Sequence, residues 1–142
     1  MNKKLKGYTQ NSLRERVAGA DPYQLIQMLM AGALDNLNYA KGAIERKDLE
    51  KKGQYISKAS NIIESLRASL NPEVGGDVAD NLEQLYLYML DLLADASRNN
   101  DIEKTSEVHT LLSQIKSSWD AIPVSARQEA EAQSMHFSAV GA

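Results

Sequence analysis

Two histidines, His109 and His136, are the imidazoles available for acid–base or metal chemistry, and the chain has no cysteine. A dimetal carboxylate centre in a helical bundle needs a glutamate three residues before a histidine on two helices, so that carboxylate and imidazole share a face. Ser106 stands three residues before His109 and Gln133 three before His136, so the pattern fails at both. Zinc would need unusual help from carboxylates where two imidazoles and no thiolate are on offer. The glycines form neither a Gly-x-Gly-x-x-Gly fingerprint nor a Walker loop, so no phosphate cradle is visible. Spacing suggests no Ser-His-acid arrangement, although a triad assembled in space stays open to any sequence. Asp77 and Asp80 sit at an expected helix start, where cap and dipole roles account for them. The sequence thus assigns no catalytic residue, no metal ligand and no cofactor, and it points away from an enzyme. His109 is expected at the edge of its helix.

The elements that would position any site read as helices. Asp21-Pro22-Tyr23-Gln24 offers an acid at the N-cap, a proline at the first helical position and a glutamine able to bond back. Leu25, Ile26, Met28, Leu29, Ala33, Leu34, Leu37, Ala40 and Ile44 then recur at steps of three and four, which predicts a helix from Pro22 to Arg46. Asp48 caps a second, whose seam is Leu49, Ile56, Ala59, Ile63, Leu66 and Leu70 with Ile62 beside it. Asn71-Pro72-Glu73-Val74-Gly75-Gly76 is expected to stop it, because proline breaks the hydrogen-bond ladder and glycine permits positive φ. Asp77 is expected to open a third helix with Val78, Leu82, Leu85, Met89, Leu92 and Ala96 as its seam. After a break at Asn99-Asn100-Asp101, a fourth puts Ile102, Thr105, Val108, Leu112, Ile115, Trp119 and Ile122 on one face and ends before Pro123.

Short connections make neighbouring helices antiparallel, so the expected fold is all-α: an antiparallel four-helix bundle. It forms one domain over residues 1–142, with a core at 22–122, a cap segment at 1–20 and a tail at 123–142. The cap would hold a short leading helix, Asn11 to Ala18, around Leu13 and Val17. The tail, with Ala130, Met135 and Phe137 as a poor apolar face, would be weakly helical and only when covered.

Composition agrees with one globular unit. The 142 residues are 43% hydrophobic and 25% charged, ordinary values for a folded domain. A net charge of −3 gives no global basic field to hold nucleic acid, although Lys3, Lys4, Lys6, Arg14 and Arg16 make the first stretch locally basic. The N-terminus has no apolar signal core, and the run Leu85 to Leu90, broken by Asp91, is far too short to span a bilayer. A cytoplasmic protein without membrane insertion is expected.

One feature exceeds what a bundle needs. Leu85-Tyr86-Leu87-Tyr88-Met89-Leu90-Asp91-Leu92-Leu93 is apolar or aromatic nearly all round. Leu85, Met89 and Leu92 fill the expected seam, Tyr86 and Leu93 widen it, and Leu87 and Leu90 then project where an amphipathic helix should be polar. Leaving a leucine uncovered forgoes roughly 1.5–3 kcal/mol of burial. The chain's own terminal segments could cover this face, the helix could be central and fully buried, or the face could be a groove for a partner helix. Tyr8, Leu13, Tyr86, Leu87, Leu90 and Leu93 are the candidate partner-binding residues. A homodimer formed through the same patch is the competing reading.

The stretch from Leu70 to Leu82 (Leu-Asn-Pro-Glu-Val-Gly-Gly-Asp-Val-Ala-Asp-Asn-Leu), followed by Leu85-Tyr86 and Tyr88-Met89, resembles the hallmark of the flagellar secretion chaperone (FliS) family. Tyr8 matches that family's N-terminal tyrosine. Leu25, Ile26, Met28 and Leu29 match its proline-led helix. Gly32-Ala33, Ile62-Ile63 and Trp119 also fall in order, so the likeness runs from Tyr8 to Trp119. Met30 and Ala31 depart from the tyrosine and acid that often precede the Gly-Ala pair, which removes a polar contact from helix one. Asp21 replaces the usual hydroxyl cap and caps equally well.

The resemblance implies an antiparallel bundle that binds the C-terminal helices of newly made flagellin in the cytoplasm. It would hold them unpolymerised and deliver them to the flagellar type III export apparatus. Flagellin would then be the partner, with the export gate and a co-chaperone as further ones, and the free protein a monomer or weak dimer. The N-terminal tyrosine would lie in a mobile segment near the substrate site, and flagellin would displace residues 1 to 18 from part of the groove.

Overall fold

Helices begin in this chain where a short acceptor side chain can take up an orphan amide. The Asp21 carboxylate accepts from the Gln24 amide at 2.7 Å while the Gln24 side chain accepts from the Asp21 amide at 3.3 Å. This closed capping box starts α1 (Pro22–Glu45). Asp48, Asn71 and Asp101 cap α2 (Leu49–Ala68), α3 (Pro72–Asn99) and α4 (Ile102–Asp120) through the amides of Lys51, Glu73 and Lys104. Left-handed residues, Lys47 (φ 60°) and Asn100 (φ 54°), turn the chain after α1 and α3. The computed structural model describes residues 21–128, and every regular element in that span is helical, ending in a 3-10 turn at Val124–Ala126.

The helices pack as a ring: α1 lies against α2 and α4, and α3 closes the far side against the same two. With short connections, each packed pair runs antiparallel, as expected from the sequence. The centre is filled by Met30, Ala33 and Leu37 of α1, Ile56 and Ile63 of α2, Met89 and Leu93 of α3, and Val108 and Leu112 of α4. Thr105, also fully buried, returns its hydroxyl to the Asp101 carbonyl at 3.0 Å and so enters the core without an unpaired donor.

Three details differ from the sequence reading. First, Pro72 begins α3 instead of ending α2, which stops at Ala68. Asn71 caps one helical turn, and the axis then breaks at Gly76 (φ 51°, ψ −127°) before resuming at Asp77. Proline at the first position lacks only an amide that would have been orphaned anyway. Second, the α3 seam is Ala79, Tyr86, Met89, Leu93 and Ala96, with Leu92 at its edge. Leu85 is only partly buried and Val78 is exposed. Leu85 with Leu92 and Tyr86 with Leu93 are equally good apolar steps of seven, so periodicity alone left the phase uncertain by one residue. Third, Leu49 of the expected α2 seam is exposed and Lys52 is buried. The Lys52 ammonium donates to the Ser97 carbonyl at 2.7 Å and to the Asn100 side chain at 2.6 Å, tying the start of α2 to the end of α3. Its head thus meets one backbone carbonyl near the C-terminal end of α3 and one side-chain oxygen. The proposed leading helix and the tail from residue 129 lie outside the described residues.

Gly76 gives a clean test of the kink. A Cβ built there meets nothing within 4 Å, so the demand for glycine comes from the backbone alone. Gly76→Ala should cost about 1–3 kcal/mol, the range for a non-glycine residue forced into such a region. It should leave helicity intact, which denaturant titration with circular dichroism would show. An unchanged midpoint would mean that the turn from Pro72 relaxes freely.

Candidate partner-binding surface

Side chains three, four and seven apart share a face of a helix. Cross-helix pairs therefore fix which way α3 points. Glu83 accepts from Arg67 of α2 at 3.1 Å, so the stripe Glu83, Leu87, Leu90 and Ala94 runs along the α2 flank. Asp95 accepts from Lys104 at 3.1 Å and the Tyr88 hydroxyl donates to Glu107, so Tyr88, Asp95 and Leu92 run along the α4 flank. Tyr86, Met89 and Leu93 point between the flanks into the bundle.

This geometry sorts the residues expected at the partner surface. Leu87 is 37% exposed and Leu90 is half-buried against the core. They stand on adjacent turns and form the accessible apolar stripe. Leu90 therefore does not project away from the core as the sequence suggested. Tyr86 and Leu93, 2% and 0% exposed, are core residues beneath that stripe, so the patch is narrower than four side chains in a row. Burial pushes the Tyr86 hydroxyl well above the ordinary phenol range, as expected for a ring with little water around it. Tyr8 and Leu13 lie outside the described residues. At one end of the stripe Arg67 bridges Glu64 and Glu83, a small charged cluster spanning the two helices.

Tyr88, part of the aromatic run but not among the candidate partner-binding residues, is a surface group. It is 45% exposed and held to α4 by the hydrogen bond its hydroxyl donates to Glu107, which raises the tyrosine's pKa. The bonded pair requires α4, so nothing local in the sequence signalled it. A second unheralded feature is the end of the bundle where α1 starts and α4 finishes. Tyr23 and Trp119 stack at 5.2 Å between centroids, and each donates to the other's backbone carbonyl, at 2.7 and 3.1 Å. Ile26, Met30, Leu82, Tyr86 and Trp119 also help to line a small cavity of about 30 Å³ at that end.

His109 is half-buried on α4, as expected of a boundary residue. Desolvation and then the nearby Lys41 charge hold its pKa below 6.5. A base whose folded pKa is depressed binds its proton more readily in the unfolded chain, so its contribution is intact above about pH 6.5 and is lost as pH falls below it. His109→Gln should flatten the stability profile between pH 7 and about pH 5, read from thermal midpoints. An identical slope in the variant would assign the pH dependence to the carboxylates.

Among the described residues no group of three or more His, Cys, Asp or Glu side chains could hold a metal ion, and no helix is long and apolar enough to cross a membrane. What fold and surface define together is an antiparallel four-helix bundle whose third helix keeps leucine at its exterior. The profile described as "Flagellar protein FliS" matches residues 4–126. Flagellar secretion chaperone FliSB of Pseudomonas aeruginosa is 45% identical over 120 residues, covering 84% of this chain and 95% of the relative. Flagellar secretion chaperone FliS of Vibrio cholerae is 39% identical over 123 residues, covering 87% and 90%. That of Salmonella typhimurium is 43% identical over 119 residues, covering 83% and 88%. The chain belongs to the FliS family of flagellar secretion chaperones.

Proposed function

We propose that this protein is a cytoplasmic chaperone that binds the C-terminal helical segment of flagellin, keeps it from polymerising early and hands it to the flagellar export apparatus. The observation that carries the reading is the apolar stripe of Leu87 and Leu90 beside α2 in a chain of this family. A segment built for helical packing in a filament has an apolar face to cover, and a helix laid into an apolar groove is the direct way to cover it. Because a disordered segment loses entropy when it orders, affinity must come from area. On this reading Leu87 and Leu90 touch flagellin, while Tyr86 and Leu93 hold those leucines in place from beneath. Tyr8 and Leu13 of the N-terminal segment close over the bound helix or compete with it. The export gate and a co-chaperone would meet other faces.

Sedimentation at low micromolar concentration tests the reading against self-association through the same stripe. The chaperone should run as a monomer or weak dimer and become a one-to-one complex with a flagellin C-terminal fragment. A tight homodimer indifferent to the fragment would favour the structural-bundle reading.

A further inference from the structure

All four helices meet around the cavity of about 30 Å³ at the end where α1 starts and α4 finishes, each giving it a wall: Met30, Leu66, Tyr86 and Trp119. Three polar side-chain groups belong to its lining. The Ser69 hydroxyl donates to the Leu66 carbonyl at 2.7 Å and the Trp119 indole to the Tyr23 carbonyl at 3.1 Å. The third, the Tyr86 hydroxyl, has no partner among the described residues, and burial alone raises its pKa. That hydroxyl is not sealed in. Among the described residues Arg127 Nε is the one fully enclosed side-chain polar atom without a partner, so the Tyr86 oxygen keeps contact with open space. A buried polar group normally finds a hydrogen bond. Water would meet mostly apolar walls here, whereas it needs about two to four polar partners. A slim apolar group carrying an acceptor suits the space better. The end of a methionine is such a group: it fills irregular gaps, packs on aromatic rings and accepts hydrogen bonds at sulfur.

The described chain ends beside this cavity. Arg127 rests on the Tyr23–Trp119 platform, its guanidinium carbon 4.3 Å from the Tyr23 centroid, and Trp119 is cavity wall. Met135 follows eight residues after Arg127. An extended chain of that length reaches about 26 Å and a helical one about 12 Å, so either lets the tail turn back across the end of the bundle. We propose that Met135 seats its thioether in this cavity, accepting from the Tyr86 hydroxyl, so that residues 129–142 close the end of the bundle. Leu13 and Val17, which precede α1 at the same end, and Phe137 of the tail offer no acceptor, and a phenyl ring is too large for the space. The FliS profile matches residues 4–126, so this contact belongs to sequence past the pattern that defines the family.

The full-length protein labelled with carbon-13 at its methionine methyls carries five of them, and Met135→Leu assigns the one in question. Its resonance should stand upfield of the random-coil position, moved by the ring currents of Tyr86 and Trp119, with nuclear Overhauser contacts to both rings. Met135→Ser should lower the thermal midpoint by about 2–5 °C, as for uncovering one side-chain end in a chain of this length. Phe137→Ser should leave the midpoint unchanged. The loss from Met135→Ser should shrink in a Tyr86→Phe background, which keeps the ring and removes the donor. A Met135 methyl at the random-coil position overturns the inference, as does contact of Leu13, Val17 or Phe137 with the cavity rings in its place. Equal losses in the two backgrounds overturn the assignment of the sulfur as acceptor.

Discussion

Met89→Glu should leave the protein unable to unfold cooperatively, because the side chain it replaces is wholly buried between all four helices. An uncompensated carboxylate in such a place costs several kcal/mol even after relaxation. Domains of this size are stable by only about 5–15 kcal/mol in total, so one such residue removes much of the margin. Leu93→Glu, equally buried one helical turn on, should behave the same way. Leu93→Ala is the graded control, expected to cost about 2–5 kcal/mol and to retain a sharp transition. Circular dichroism melts of the three variants check this. Native-like melts for both charged variants would move Met89 and Leu93 out of the core.

Leu87→Glu should do the opposite, leaving helicity and midpoint near those of the parent and cutting affinity for a flagellin C-terminal fragment by at least about tenfold. Covering one leucine contributes roughly 1.5–3 kcal/mol, and each 1.4 kcal/mol is about a factor of ten in binding. Asp91 already occupies the next turn of that face, exposed to solvent, so a carboxylate at Leu87 meets water in the free protein. Leu90→Glu is the mixed case. Half-buried against the core, it should lose both stability and affinity, and comparing the two variants separates groove from packing. Loss of helicity in Leu87→Glu would show that this leucine is core.

Most of the fold is legible in the sequence, because caps and breakers are written in local residues. Asp21, Asp48 and Asp101 each take the amide three residues on, a geometry that depends on nothing distant. The misreadings share a physical cause. Pro72 stops a helix or starts one according to which side the chain comes from, and only the Asn71 cap decides. The phase of α3 was ambiguous because apolar residues flank the seam on both sides, so burial by α2 and α4, not sequence, selected Tyr86 and Leu93 over Leu85. The burial of Lys52 has no local signal, because its acceptors, Ser97 and Asn100, come from the far end of α3. The stripe at Leu87 and Leu90 was visible as excess hydrophobicity. The Arg127 platform was not, since it joins three residues from the two ends of the described chain.

Calorimetry of the full-length protein with monomeric flagellin, intact and lacking its C-terminal helical segment, tests the central claim most directly. Intact flagellin should bind saturably and one-to-one with a negative heat-capacity change, the mark of apolar burial, and the truncated form should not bind. Equal binding of both forms, or of neither, would contradict that claim.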